Sequence, residues 1–178
     1  MQKNAISAEI RVRRSPLDPW RGILAVRQLR MPCALGRAGT SIFKREGDGA
    51  TPVAGMALLS CYVRSGRLPG VRPVLPTIRS RPDSGWCDAP THPAYNRPVR
   101  LPFPASCETL QRADRLYDLV VVLDWNITKR GRGRGSAIFL HIARQGFAPT
   151  EGCVAVSPTD MRRLAPFLRK GVRLTVSR

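Results

Sequence analysis

The chain has 178 residues, enough for one domain with a single hydrophobic core and too few for two full ones. Apolar residues make up 43% of it, which excludes a disordered polymer, while 15 glycines and 16 prolines exclude long regular helices and point to a loop-rich, mainly β fold. Thirty Lys and Arg against 12 Asp and Glu leave a net charge of +18, which favours anionic partners such as nucleic acid, anionic lipid or a polyanionic wall without choosing among them.

In chain order, residues 1–20 are polar and Arg-rich and read as a flexible basic N-terminal segment, with the folded domain spanning 21–178. The first 30 residues contain no uninterrupted apolar run, so they lack the central region of a secretory signal peptide. Residues 22–28 (GILAVRQ) and 31–39 (MPCALGRAG) read as an opening β-hairpin. The segment KREGDGATPVAG crowds Gly, Asp and Pro together and is loop, and MALLSCYV after it fits a strand.

Between residues 69 and 106 proline is dense and alternation is broken, which predicts a long ordered loop carrying His92. Two readings of it stand side by side: it lines or covers a site, or it is a solvated surface excursion. His92 and Trp86 are its candidates for contact with a ligand; a surface histidine and a packing tryptophan are the plainer alternatives. Cys87 lies within this stretch and Cys107 just beyond it, and the two could pair across the loop, although nothing in the spacing requires it.

Beyond it, YDLVVVLDW is the strongest strand, its β-branched run implying burial on both faces. GSAIFLHIA is a second strand, with His141 near its end, and EGCVAVS is a short third. In SPTDMRRLAPFLRKG, Ser157 caps a helix, Pro158 suits its first turn, Asp160 completes a capping-box-like pattern, Pro166 kinks or shortens it, and Gly171 ends it. VRLTVS closes the chain as a strand. The longest apolar run, residues 119–123, is too short to span a bilayer, so no integral membrane protein is expected.

The five cysteines include no CxxC pair and the two histidines lie far apart, so neither a structural zinc site nor another metal or organic cofactor is expected. No helix-turn-helix, zinc-finger spacing or RNA-recognition aromatic motif accompanies the basic runs, and no specific nucleic-acid role is expected. The pairing of chemistry-bearing residues lies elsewhere. Cys153, preceded by Gly152, follows His141 by 12 residues. If two neighbouring strands bring them together, the imidazole can take the thiol proton, and the Gly152 and Cys153 amides can face the oxyanion of a tetrahedral intermediate. The alternative is a small core cysteine beside a structural histidine.

These residues resemble a known family. His141, the loop after it, then TEGCVAVS with Asp160 and Leu164 downstream, are similar to the signature of the L,D-transpeptidase (YkuD-type) catalytic domain, a histidine followed by Ser/Thr-x-Gly-Cys and a valine or isoleucine. KREGDGATP resembles the Thr-Pro segment that precedes the catalytic strands in that family, and GWCDAPTHPAYNRPVRLPFPAS and GRGSAIFLHIAR resemble one bacterial branch of it. The likeness spans roughly residues 22–176.

The resemblance implies an L,D-transpeptidase-like β-sandwich with one or two short helices, acting on peptidoglycan stem peptides in the periplasm or cell envelope, with an anionic wall polymer as a possible further partner. In it Cys153 is the nucleophile, His141 its base, Gly152 and Cys153 supply the oxyanion-hole amides, and Thr150 takes the Ser/Thr position, next to Glu151 as a further substrate contact. Glu151 stands where many members carry a second histidine, Ala155 where many carry an arginine, and Ala54 at a usual glycine, which bears on donor specificity. Three outcomes follow: transfer of the acyl group to an amine, its hydrolysis by a carboxypeptidase or endopeptidase, or a basic binding module that keeps the fold without chemistry.

Overall fold

The structure is a computed structural model and describes residues 9–178. Fourteen strands dominate it: β1 (Ile10–Arg14), β2 (Arg21–Val26), β3 (Leu29–Ala34), β4 (Thr40–Ser41), β5 (Thr51–Pro52), β6 (Gly55–Val63), β7 (Thr77–Arg79), β8 (Ser84–Cys87), β9 (Arg97–Arg100), β10 (Cys107–Thr109), β11 (Leu119–Leu123), β12 (Phe139–Ile142), β13 (Val154–Val156) and β14 (Arg173–Ser177). The α-helix among the described residues, α1 (Pro158–Leu164), lies between β13 and β14.

The main sheet runs β11-β12-β13-β3-β2-β1-β14-β6-β7, and an added pairing of β6 with β11 returns it on itself as a closed, sandwich-like ring. A register shift opposite Val122 and Leu123 interrupts the β6–β11 ladder and lets the long β6 turn from one neighbour to the next. Alternate residues point into the ring, so Ile10, Val12, Leu24, Val26, Leu119, Val121, Leu123, Leu140, Val154 and Leu174 share one core, with Met161 and Leu164 of α1 packed onto it.

Ile10–Arg14, inside the segment read as a flexible tail, is a strand. It pairs antiparallel with β2 and parallel with β14, and its alternation buries Ile10 and Val12 while Arg11 and Arg13 face solvent. The arginines made the segment look polar; the apolar residues between them sit on the core face. Residues 1–8 lie outside the described part.

The stretch read as a long loop is ordered but not structureless. Within it β8 pairs with β9, and with β10 just beyond it, in a three-stranded sheet, and β7 adds to β6. This small sheet lies over the outer face of β11 and β12, where Trp86, Leu110, Tyr117, Val120, Val122 and Phe139 form a second core. Burial of β11 on both faces therefore comes from the ring on one side and this cover on the other.

The opening hairpin forms as the sequence indicates, turning through Arg27 at φ 50°. At α1 the Ser157 hydroxyl accepts from the Asp160 N–H at 3.0 Å and donates to the Asp160 carboxylate at 2.7 Å. The helix stops at Leu164 and passes through a 3₁₀ turn containing Pro166, so proline shortens it well before Gly171, which takes φ 86° on the way into β14.

Candidate active site

β12 and β13 run parallel with Leu140 opposite Val154 and His141 opposite Ala155. Leu140 and Val154 point into the main core, so their neighbours Phe139, His141, Cys153 and Ala155 fall on the outer face beneath the small sheet. Gly152 turns the chain onto β13 at φ 135°, and a Cβ there would stand 2.9 Å from the Ala50 carbonyl oxygen. The residue before Cys153 is glycine because no side chain fits.

Cys153 and His141 line one cleft of about 320 Å³, together with Glu108, Arg112, Tyr117, Thr150 and others. They are 8% and 5% exposed. The Cys153 Sγ donates to the Ala137 carbonyl at 3.3 Å and accepts from the Phe139 N–H at 3.4 Å. The structure thus brings the pair into one cleft, while the thiol's hydrogen bonds run to the Ala137 and Phe139 backbone.

His141 Nδ1 lies 2.9 Å from the Ile142 carbonyl oxygen. A carbonyl only accepts, so Nδ1 carries the proton and Nε2 is left as the basic nitrogen. Burial pushes the imidazole down from 6.5 to about 4, and pushes the Cys153 thiol up from 9.0 to about 12. The resting pair is therefore neutral thiol and neutral imidazole.

Thr150 and Thr51 hold the backbone of Cys153. The Thr150 hydroxyl donates to the Cys153 carbonyl at 2.7 Å and accepts from the Gly152 N–H at 3.2 Å. Thr51, in the Thr-Pro segment, accepts from the Gly36 N–H at 2.8 Å and donates more weakly to the Cys153 carbonyl at 3.5 Å. Backbone bonds from Arg37 N–H to the Thr150 carbonyl and from Thr150 N–H to the Leu35 carbonyl tie the turn before Cys153 to the end of β3.

The remaining candidates separate. Glu151 lines the cleft at its rim, where its carboxylate meets Arg37 Nε at 2.8 Å. His92 and Trp86 are not among the lining residues. His92 accepts from the Ala94 N–H at 3.0 Å and packs on Phe103, which pins it in its own turn. Trp86 donates to Asn96 Oδ1 at 3.0 Å and stands edge-on to Phe139 at 5.3 Å, so it packs the cover onto the ring.

Among the residues that the sequence did not single out, Tyr117, Glu108 and Arg112 enter the cleft beside His141. The Tyr117 ring meets His141 edge-on at 5.1 Å, its hydroxyl reaches toward Glu108 at 3.4 Å, and the Arg112 guanidinium lies over the ring at 5.3 Å. Burial raises Glu108 above the usual carboxylate range, with Arg112 opposing. Among the described residues no three His, Cys, Asp or Glu side chains are grouped to hold a metal ion, and no helix is long and apolar enough to cross a membrane.

Comparison with known proteins places the chain in a family. The family model described as the L,D-transpeptidase catalytic domain (YkuD) matches residues 25–176. Among solved structures, similarity extends to an L,D-transpeptidase from Mycobacterium smegmatis (16% identity, 96% of this chain and 59% of that one, TM-score 0.42). It extends also to Bd1075 of Bdellovibrio bacteriovorus (12%, 99% and 50%, TM-score 0.49) and to L,D-transpeptidase 1 of Mycobacterium tuberculosis (14%, 95% and 62%, TM-score 0.41). No curated protein matches significantly, and the chain spans 50% to 62% of the length of these solved structures. With the match running from β2 into β14 and taking in both Cys153 and His141, the chain belongs to the YkuD family of L,D-transpeptidase catalytic domains.

Proposed function

We propose that the chain is a cysteine-dependent L,D-transpeptidase acting on peptidoglycan stem peptides at the cell envelope. The observation that carries this reading is the shared cleft: a buried thiol just before β13 and, on the neighbouring β12, an imidazole whose Nδ1 is already committed to a backbone carbonyl.

His141 Nε2 takes the thiol proton as Cys153 Sγ attacks the carbonyl of the L,D peptide bond after the third stem residue. Since the Gly152 N–H faces Thr150, the first donor to the oxyanion is the Cys153 amide, with Gly152 joining once that contact loosens. The imidazolium returns its proton to the departing D-alanine amine, leaving a thioester on Cys153. An amine of a neighbouring stem then attacks, giving a 3-3 cross-link.

The lining supports an amine as acceptor. Glu46, Asp88, Glu108 and Glu151 border the cleft beside Arg112 and Arg144, so carboxylates are at hand to position an incoming amine and to take the proton it sheds on attack. Intact-mass spectrometry with a disaccharide-tetrapeptide tests the reading. The wild type is expected to gain the donor minus its terminal D-alanine, and Cys153→Ala to gain nothing. Free tripeptide with no cross-linked product would assign the same acyl-enzyme to hydrolysis, and no adduct on folded protein would overturn the reading.

A further inference from the structure

We propose that Cys87 and Cys107 form a redox modification site: a dithiol that closes to a cross-strand disulfide and staples the sheet covering the catalytic cleft. The inference is independent of the reaction assigned to Cys153. Both thiols are free in the structure.

The two cysteines stand directly opposite each other, Cys87 on β8 and Cys107 on β10. The Asp88 N–H donates to the Ser106 carbonyl at 3.2 Å and the Leu110 N–H to the Ser84 carbonyl at 2.9 Å. In an antiparallel ladder these bonded pairs alternate with non-bonded ones, so Cys87 and Cys107 occupy a non-hydrogen-bonded position. There facing Cα atoms approach to about 4.5 Å, inside the span of about 4.4–6.8 Å that a disulfide bridges. Register, rather than chance proximity, sets the two backbones within the span that a disulfide bridges.

The other alternate residues look the opposite way. Trp86 packs on Phe139, and Asp88 and Glu108 line the cleft. Cys87 and Cys107 therefore back the very strands that present two cleft carboxylates. Cys87 is fully buried and Cys107 half-buried, so a reagent reaches Cys107 first.

With a low-molecular-weight disulfide as oxidant, the Cys107 thiolate attacks one of its sulfurs, the S–S bond breaks, and the first small thiol leaves. Cys87 then attacks the mixed disulfide at Cys107 and releases the second. The protein loses two electrons and two protons, which the reagent's two sulfurs take up.

The experiment is to incubate pre-reduced protein with oxidised glutathione, block remaining thiols, and map tryptic peptides without reduction. The wild type and Cys153→Ala are both expected to lose two hydrogens and to yield peptides 80–100 and 101–112 joined, with an upward shift of Tm by about 5 °C or more. Cys107→Ser, which leaves the cleft lining intact, is expected to show neither the linked peptides nor the shift. Glutathione retained on Cys107, a link to Cys153, or no linked peptide in protein shown to be folded would each overturn the proposal.

Discussion

At the residue scale, burial sets the protonation of the proposed catalytic pair before any substrate binds. With the thiol near 12 and the imidazole near 4, both are neutral across the physiological range. Cys153 is then expected to show no thiolate absorbance at pH 7 and to react slowly with iodoacetamide, its rate rising toward alkaline pH; fast, pH-independent alkylation near neutrality would contradict a neutral pair. His141→Gln is expected to lower turnover by roughly 10²–10⁴-fold, as removal of a general base does, with the fold and the cleft retained. The same histidine links stability to acid. Its folded value lies below its unfolded one, so between about pH 6.5 and 4 the unfolded chain binds a proton that the folded chain refuses. Stability therefore falls as pH drops through that window, by about 3 kcal/mol from this residue. Urea midpoints measured from pH 7 to 4 should drop less steeply in His141→Gln than in the wild type. The Thr150 hydroxyl, which bonds the Cys153 carbonyl, is expected to contribute about 1 kcal/mol, so that Thr150→Val loses stability in the same assay and activity through misplacement of Cys153.

At the scale of elements, β1 is where sequence and structure part most clearly. IRVRR carries the two-residue alternation of a half-buried strand, yet five residues with three arginines give a weak signal, and the partners that make it a strand lie at residues 22–26 and 174–177. Because β1 bridges β2 and β14, deleting residues 1–14 is expected to open the ring and abolish cooperative thermal unfolding, whereas a flexible tail would be dispensable; circular dichroism melting distinguishes the two. The covering sheet was hidden for a related reason. Its strands are three or four residues long, separated by proline-rich turns, and are held by Trp86 and Leu110 packing on the second face of β11 and β12. The longer strands and α1 were legible because their information is local: β-branched runs in β11, and a capping serine, first-turn proline and Asp160 in α1.

At the scale of the whole molecule, charge and cleft are arranged against each other. The chain is strongly basic, while the cleft is lined by four carboxylates against two arginines, Arg112 and Arg144. Binding to a polyanion is therefore expected to occur away from the cleft. Retention on an immobilised polyanion should fall steeply with salt, equally for the wild type and Cys153→Ala, and turnover of a short soluble donor should persist at salt that abolishes retention. What the sequence by itself determined was everything carried by neighbours along the chain: a mainly β domain, most of its longer strands, the capped helix, and the His141 and Cys153 spacing with glycine before the thiol. Tertiary structure alone decided the rest. Closure of the ring through β6 and β11, the cover that buries the cleft, the direction of the His141 tautomer, and the entry of Tyr117, Glu108 and Arg112 beside it all depend on contacts between distant segments. No local pattern encodes such contacts, because their energy comes from surfaces that meet only when the chain is folded.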